Sequence, residues 1–285
     1  MKRPDPRVFQ IVSLGSLLVY GMAIRGFEVT PARALLLLAT ALATQWACAR
    51  AAGVGFEAKS ALISGLSLCL LLRTNSAALA ALTAVVTIAS KFVFRFRGKH
   101  VFNPTNVGIV LMMLATGQVW VSPGQWGNVA LLAFLIVCLG SLVVNRAARG
   151  DVTVAFLGFW SMTLVARALR LGDPLTIPLH QLQSGALLLF AFFMISDPKT
   201  TPDSRAGRIL FAALVAWGAW YVQFKLFRPN GLLWSLAAVS LLVPLIDRLL
   251  PGSRYDWRAP RPTQRRHDAP PRSVPDLMPA SAGVA

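Results

Sequence analysis

The chain has 285 residues, of which 55% are hydrophobic and 14% are charged, and its mean hydropathy is +0.60. A soluble domain carries about a quarter charged residues, so this composition excludes an ordinary soluble protein and indicates an integral membrane protein. The formal net charge of +17 is typical of proteins that bind nucleic acid or a membrane surface. No basic motif interleaved with aromatic residues supports nucleic-acid binding, so no nucleic-acid partner is predicted.

Long runs without Lys, Arg, Asp or Glu recur along the chain and predict about ten transmembrane helices. A bilayer crossing needs about 20 mostly apolar residues, or fewer where long charged side chains reach the interface. The run over 101–145 is long enough for two spans, with Ser122-Pro123-Gly124-Gln125 as the turn between them. The uncharged runs are 8–24, 34–49, 60–72, 74–90, 101–145, 152–166, 174–196, 209–224 and 229–246.

The basic residues are divided unevenly between the predicted loops. With ten spans and a cytoplasmic N-terminus, 21 of the 28 Lys and Arg residues fall on the cytoplasmic side. Because loops rich in Lys and Arg stay in the cytoplasm, this asymmetry predicts a multi-pass protein of the inner (plasma) membrane with both termini cytoplasmic. The same charge attracts anionic headgroups, so the lipid bilayer is the first expected partner.

Three regions follow from composition. Residues 1–7 form a basic N-terminal tail, residues 8–250 form the membrane domain, and residues 251–285 are rich in Pro and Arg. The last region has few large apolar residues and cannot bury a core, so it is predicted to be a disordered cytoplasmic tail.

The membrane domain shows weak internal similarity. Ser-Gly pairs at Ser64 and Ser184 each open a short apolar stretch, and Phe-x-Pro segments follow at Phe102 and Phe227. Five spans per half is an odd number, so two such halves would be inserted upside-down relative to each other. The expected fold is all-α, with about ten transmembrane helices in two inverted five-helix repeats with short or broken helices. The repeats would cover about 8–119 and about 127–250, unless these short motifs recur by chance.

The polar segment from Lys99 to Gly108, between two apolar stretches, is the strongest candidate site. A helix that starts at Pro104 would point its free N–H groups at whatever precedes it, and Lys99 and His100 add positive charge. This suits an anionic or electron-rich ligand such as a phosphate, a reduced flavin or a quinone oxygen. The alternative is that Asn103 only caps the helix while Lys99 and His100 face headgroups. The candidates are Lys99, His100, Asn103, Pro104, Thr105, Asn106 and Gly108.

Two further segments carry candidate ligands. A weaker copy of the first segment places Lys225 and Asn230 before another apolar helix. The run Met194–Pro202 places Asp197, Lys199 and Thr200 at the end of a long uncharged stretch, where two prolines stop the helix. Asp197 could cap a turn, pair with Lys199, or coordinate a cation or proton; the alternative is a polar reversal loop.

The three cysteines, Cys48, Cys69 and Cys138, lie singly within apolar segments. No Cys-x-x-Cys pair exists, so neither a zinc site nor an iron–sulfur site is predicted, and no metal is expected.

Several of these motifs together resemble the RnfD/NqrB family of membrane subunits of ion-translocating electron-transport complexes. They are Gly98-Lys99-His100-x-Phe102-Asn103-Pro104-x-Asn106-x-Gly108, Trp120-x-Ser122-Pro123-Gly124-Gln125-Trp126-Gly127 and Phe193-Met194-Ile195-Ser196-Asp197-Pro198-Lys199-Thr200. The resemblance covers about residues 8–250. It implies a ten-helix inverted repeat similar to urea channels, electron transfer between flavins coupled to Na⁺ or H⁺, and other membrane or redox subunits as partners.

The chain departs from that family at the flavin attachment loop. Family members carry FMN on a threonine in a Ser-Gly-Ala-Thr type loop, whereas the loop of this chain between the fifth and sixth predicted spans has Thr116 as its only threonine, in a Thr-Gly-Gln context. The resemblance therefore implies FMN or riboflavin bound without a covalent link. The chain looks closer to the short RnfD-like proteins associated with enediyne natural-product clusters. Two alternatives stay open: a channel or carrier for a small solute or ion on the same scaffold, and a membrane component of enediyne-type biosynthesis.

Overall fold

A computed structural model describes residues 5–122, 126 and 130–255. The expected turn at 123–125 and most of the expected disordered tail, 256–285, lie outside the described residues. The first half contains the helices α1 (Pro6–Ala23), α2 (Pro31–Ala51), α3 (Ala58–Leu71), α4 (Ala77–Val93) and α5 (Pro104–Thr116). Four two-residue strands accompany them: β1 (Leu72–Arg73), β2 (Arg95–Phe96), β3 (Lys99–His100) and β4 (Trp120–Val121).

The second half is also helical. Its elements are α6 (Ala130–Arg146), α7 (Gly150–Leu171), α8 (Thr176–Leu182), α9 (Gly185–Leu189), a π-helical turn (Phe190–Met194), α10 (Arg205–Phe224), α11 (Gly231–Ser240) and α12 (Val243–Leu249). The strands pair antiparallel as β1 with β4 and β2 with β3.

Short polar residues start several of these helices. Thr30, Ser76, Asn103 and Ser204 each precede a helix and accept a backbone N–H of its first turn through the side-chain oxygen. Such caps satisfy N–H groups that have no partner inside the helix. Proline in the first turn of α1, α2 and α5 loses no helical hydrogen bond, which explains why these sequences begin helices where they do.

The packing order is similar in the two halves. In the first half, α3 packs on α1 and α2, α2 packs on α4, and α4 packs on α5. In the second half, α6 packs on α9 and the π-helical turn, α7 packs on α10, and α10 packs on α11. Contacts of α1 with α6 and of α5 with α11 join the halves.

Glycine allows the closest of these helix contacts. A Cβ at Gly108 of α5 would overlap the side chain of Thr87 on α4. Gly140 of α6 similarly faces the ring of Phe192, 2.5 Å from where a Cβ would lie. Small residues at helix interfaces let backbones approach in membrane proteins, where packing rather than water exclusion holds helices together.

Length and apolar composition identify the helices that could cross a membrane. Among the described residues, α1, α2 and α7 qualify singly, and two bent pairs, α8 with Gly185–Met194 (48°) and α11 with α12 (52°), qualify as broken spans. Four shorter apolar helices span Ala58–Leu71, Ala77–Val93, Pro104–Thr116 and Leu132–Arg146. The prediction of a mostly helical, multi-pass membrane protein is confirmed. Three to five helices of the described residues meet the criteria of a span, so the ten-span inverted repeat stays a prediction.

Trp126 lies inside the protein. Its side chain is 1% exposed and meets the ring of Phe27 edge-on, with centroids 4.9 Å apart. It is one of the largest fully buried side chains of the described residues. This tryptophan therefore fills the core between the two halves.

Candidate functional site

A short antiparallel ribbon carries the first candidate residues. Strand β2 pairs with β3 so that Arg95 lies opposite His100 and Phe96 lies opposite Lys99. The connecting residues Arg97 and Gly98 have φ values of 50° and 78°. Positive φ at both central residues is the requirement of the tight hairpin turn that matches strand twist. The turn thus holds Lys99 and His100 just beyond the end of α4.

Lys99 joins three separate segments through charge. Its Nζ lies 2.9 Å from Oδ1 of Asp203, in the loop before α10, and 2.6 Å from Oδ2 of Asp247 on α12. The other oxygen of Asp247 accepts the backbone N–H of Asp203 at 2.7 Å. The two carboxylates engage the ammonium group. No sequence pattern marked Asp203 or Asp247, because they lie 104 and 148 residues from Lys99.

His100 is neutral at pH 7. Burial first, and then the nearby charges of Arg95, Lys91 and Lys199, lower its pKa to about 4. Its Nδ1 is buried without a hydrogen-bond partner among the described residues. The expectation that His100 adds positive charge is therefore wrong, because desolvation and three neighbouring cations oppose its protonation.

Asn103 caps α5 and also faces the second candidate segment. Its Oδ1 accepts the backbone N–H of Asn106 at 3.1 Å. Its Nδ2 donates to the carbonyl of Met194 at 3.3 Å and lies 3.5 Å from Oδ2 of Asp197. The same amide thus caps α5 and joins it to the second candidate segment, and the ligand-binding role of Asn103 stays a prediction.

Asp197 lies at the centre of a polar loop. Its Oδ1 accepts the backbone N–H of Lys199 at 3.0 Å, and its carbonyl accepts the N–H groups of Thr200 and Thr201. Loss of hydration in the packed loop raises the pKa of the carboxyl group, although Lys91, Lys199 and Arg149 act in the opposite direction. Asp197 therefore holds a proton at a higher pH than an ordinary aspartate.

Lys91, in the last turn of α4, completes this cluster. It is 4% exposed, and its Nζ donates to the carbonyl and hydroxyl oxygens of Ser60 at 2.8 and 3.1 Å. It is also close enough to Asp197 for the charges to attract. Sequence reasoning counted Lys91 only as a loop charge. The spacing Thr83, Thr87, Lys91 puts these three side chains on one helix face and was the signal that could have identified it.

Arg149 supports the loop from the other side. Its Nε donates to Oγ1 of Thr201 at 3.2 Å, and its guanidinium lies over the ring of Tyr255, 4.8 Å from the centroid. Arg149 was also not among the sequence candidates, since it lies 52 residues from its threonine partner.

The remaining candidates on α5 lie buried in helix contacts. Pro104, Thr105 and Asn106 are buried in the first turn. The Nδ2 of Asn106 donates to the carbonyl of Leu233 on α11 at 3.2 Å. Gly108, one turn further along, lets α5 approach α4. These residues act as packing and hydrogen-bonding contacts.

The second copy of the motif places its polar side chains elsewhere. Lys225 follows the last residue of α10, is exposed, and lies over the ring of Trp220. Asp203, the partner of Lys99, precedes the first turn of the same helix. Because a helix of α10's length spans about 30 Å, Lys225 and Lys99 lie near opposite ends of α10. Asn230 has a φ of 60° and makes no side-chain cap hydrogen bond. The two copies of the motif therefore do not converge on one site, although α11 itself packs on α5.

The cavity beside Lys99 and His100 is too small to enclose a flavin. The cavity beside Lys99 and His100 has a volume of about 160 Å³. Pockets that enclose ligands of drug size measure roughly 300–1,000 Å³. Oγ1 of Thr116 donates to the carbonyl of Met112 within its own helix. This cavity therefore does not fit a flavin, and Thr116 directs its hydroxyl group to its own helix.

Comparisons with known proteins agree with the sequence motifs. Residues 114–256 match the family described as the NQR2, RnfD, RnfE family. The chain is 32% identical over 125 residues to a protein of Citrobacter koseri named as a subunit of the ion-translocating oxidoreductase complex, a match that covers 43% of this chain and 34% of the relative. The protein of the same name from Escherichia coli O1:K1 is 32% identical over 123 residues, with the same shares covered.

The chain thus matches about a third of the length of these curated relatives. The family match includes the Asp197 segment and the Lys225 segment and covers half of this chain. Together with the motifs that first suggested the relationship, it shows that the chain belongs to the NQR2, RnfD, RnfE family.

Proposed function

We propose that this chain is a membrane subunit of an electron-transport complex in which electron transfer is coupled to the movement of an ion. Family membership supports this, as do the names of its relatives, which are subunits of an ion-translocating oxidoreductase complex. Other membrane or redox subunits are the expected partners. The proposed electron carriers are FMN or riboflavin, held without a covalent link and outside the small cavity beside Lys99 and His100.

The observation that carries this proposal is the polar cluster of Lys91, Asp197 and Asn103, which brings an ammonium group and a carboxyl group together inside a membrane protein. Ionisable groups enclosed among the packed helices of such a protein are costly, and they mark ion pathways and proton relays. The Lys91 ammonium bonds only to oxygens of Ser60 among the hydrogen bonds of the described residues. Asp197 bonds to backbone N–H and to one amide. Among the described residues, Lys91 and Asp197 do not form a salt bridge within 4.0 Å. The Asp197 carboxylate therefore stays available to bind a proton or a cation.

In this proposal Asp197 takes up and releases the transported charge. The protonated carboxyl group is neutral and is favoured by its packed surroundings. When Asp197 loses the proton, the amide of Asn103 and the positive charge of Lys91 stabilise the carboxylate. Asn103 has a fixed direction because its oxygen caps α5. The total charge of Lys91 and Asp197 can therefore change without the movement of a helix.

The proposed scaffold is the inverted repeat of about ten spans, with both termini in the cytoplasm. The similar order of helix packing in the two halves supports it, as do the two bent helix pairs of the second half. Bent or broken helices near the middle of such repeats are the usual supports of ion sites.

Reconstitution into proteoliposomes with its partner subunits tests the proposal. We expect electron transfer to drive Na⁺ or H⁺ uptake, and we expect Asp197→Asn and Lys91→Met to lower that uptake at least tenfold while both variants still insert. Arg170→Gln, which changes an exposed arginine near the end of α7, is the control and should keep wild-type uptake. Full uptake by both variants would contradict the role of the cluster.

Two further results separate the alternatives. Ion or urea uptake without an electron donor would favour a channel or carrier. A flavin spectrum of the purified protein, recorded before and after denaturation, distinguishes a covalent from a dissociable cofactor. We expect any flavin to be released on denaturation.

A further inference from the structure

A cavity lies between the β2–β3 ribbon and α12, apart from the cluster around Asp197. Its volume is about 160 Å³, and it is bordered by four cationic side chains, those of Arg97, Lys99, Arg248 and Arg254. Two carboxylates, Asp203 and Asp247, also border it. Four positive and two negative charges leave a surplus of two positive charges around one small opening.

Both carboxylates pair with Lys99, so the surplus positive charge is carried by the three arginines. Lys99 lies between Asp203 and Asp247, at 2.9 and 2.6 Å. None of the three arginines forms an ion pair with an acidic side chain in the part of the chain that the structure describes. Guanidinium groups bind phosphate oxygens through paired N–H donors, which makes them the usual partners of phosphate.

The opening is held in shape by the backbone. A guanidinium N–H of Arg254 donates to the carbonyl of Arg97 at 2.7 Å, which ties the chain after α12 to the hairpin turn. Arg97 itself occupies the left-handed region at φ 50°, which places it in the tight turn at the tip of the ribbon. The neutral His100 lines the same cavity, with a ring nitrogen that has no partner among the described residues.

Exposed apolar side chains lie on the same elements that border the cavity. Phe96 of β2 lines the cavity and is 49% exposed, Val93 at the end of α4 is 70% exposed, and Leu245 and Leu249 on α12 are 53% and 69% exposed. In a membrane protein such side chains face acyl chains, so the arginines lie at the level of the headgroups. A ligand that combines a phosphate with acyl chains matches both features.

We propose that this cavity binds a phosphate group, and that an anionic phospholipid of the surrounding membrane supplies it. The arginines hold the phosphate oxygens, and the acyl chains leave the cavity along Phe96, which lines it and is half exposed. Inorganic phosphate has the same anionic oxygens without the chains. The site is independent of the proposed electron transport, because it uses none of the residues around Asp197.

Native mass spectrometry of the purified full-length protein in detergent tests the proposal. The probes are short-chain phosphatidylglycerol, short-chain phosphatidylcholine and inorganic phosphate. We expect phosphatidylglycerol to bind at least tenfold more tightly than phosphatidylcholine, and inorganic phosphate to displace it at high concentration. Binding of inorganic phosphate with no preference between the lipids would assign the site to free phosphate and overturn the lipid assignment. Equal, weak binding of all three probes would overturn the proposal as a whole.

The double variant Arg97→Gln/Arg248→Gln tests whether phosphatidylglycerol binds in this cavity. We expect it to lose at least tenfold in phosphatidylglycerol affinity, whereas Arg170→Gln, on α7, should keep wild-type affinity. An unchanged affinity in the double variant would remove the site from this cavity. A thermal unfolding curve shows whether the double variant is folded. If it is not, Arg97→Lys/Arg248→Lys replaces it, and this variant should lose affinity because lysine lacks the paired donors.

Discussion

Asn106 on α5 donates a 3.2 Å hydrogen bond to the carbonyl of Leu233 on α11, and this bond connects the two halves of the protein at the helices that follow its two related motifs. Asn106 is 1% exposed and Leu233 is 5% exposed. The Leu233 carbonyl lies within α11, so the Asn106 amide adds a buried hydrogen bond between helices that the sequence alone does not predict.

Replacing Asn106 by aspartate should weaken this connection. Asn106→Asp keeps the shape of the side chain but places an acceptor opposite an acceptor, and we expect a loss of about 1–3 kcal/mol in the free energy of unfolding. Thermal unfolding in detergent measures it. Gln118→Glu makes the same amide-to-acid change on an exposed loop residue and should have almost no effect. Equal effects of the two variants would mean that the bond to Leu233 does not contribute.

A methyl group at Gly108 should separate α5 from α4. Its Cβ would overlap Thr87, whose backbone is only 2.9 Å away, so we expect Gly108→Ala to lower stability by about 1–3 kcal/mol. At Gly158 on α7, an added Cβ would meet no atom within 4 Å. Gly158→Ala should therefore raise stability by up to about 1 kcal/mol through helix propensity. A stabilising Gly108→Ala would show that the helices do not pack this closely.

Removing the charge of Lys99 should leave two carboxylates facing each other. The side chains of Lys99, Asp203 and Asp247 are 11%, 13% and 19% exposed. Solvent screens such partly buried groups only in part. We therefore expect Lys99→Met to lower the free energy of unfolding by about 2 kcal/mol, and a second change, Asp247→Asn, to restore part of that loss.

Lys59 gives the matched comparison for that experiment. It pairs with Asp5 at 2.9 Å, but its side chain is 45% exposed. Exposed pairs contribute at most about 1 kcal/mol, so Lys59→Met should change the unfolding midpoint little. A larger effect at Lys59 than at Lys99 would contradict the assignment of Lys99 as the bridge between three segments.

The stability of the protein should fall in mild acid because of His100. Its pKa is lowered from 6.5 to about 4, so the folded state binds fewer protons than the unfolded state between these values. The contribution of the neutral imidazole is complete above pH 6.5 and is lost as the pH falls towards 4. Between pH 6.5 and pH 4, we expect the free energy of unfolding of His100→Gln to fall by about 1–3 kcal/mol less than that of the wild type.

Unfolding curves at about pH 7, 6, 5 and 4 measure this effect across the window that linkage defines. The exposed His180→Gln variant is the control and should keep the wild-type profile. If His100→Gln follows the wild-type curve at every pH, the imidazole is not desolvated in the folded protein.

The local elements of the site could be read from the sequence. Asn103 followed by Pro104 predicts a capped helix start, and the structure has α5 beginning at Pro104 with Asn103 as its cap. The prolines after Asp197 predict the end of the preceding helix, which stops at Met194. These features depend on neighbours within a few residues, and backbone geometry fixes them wherever they occur.

The partners of these residues could not be read in the same way. Asp247 reaches Lys99 across 148 residues, and Asn103 reaches Asp197 across 94. No periodicity connects such positions in one sequence. Lys91 was overlooked for a related reason, since a lysine at the end of an apolar run resembles an ordinary interfacial charge until packing removes its water.

The sequence by itself determined that this is a helical membrane protein of the NQR2, RnfD, RnfE family, because apolar runs, helix caps and short motifs are local properties of the chain. Only the tertiary structure decided that Lys99 is held by two aspartates, that His100 is neutral, and that Lys91 shares a cluster with Asp197. Charge state and pairing depend on burial and on distances between segments far apart in the chain, and folding alone sets those quantities.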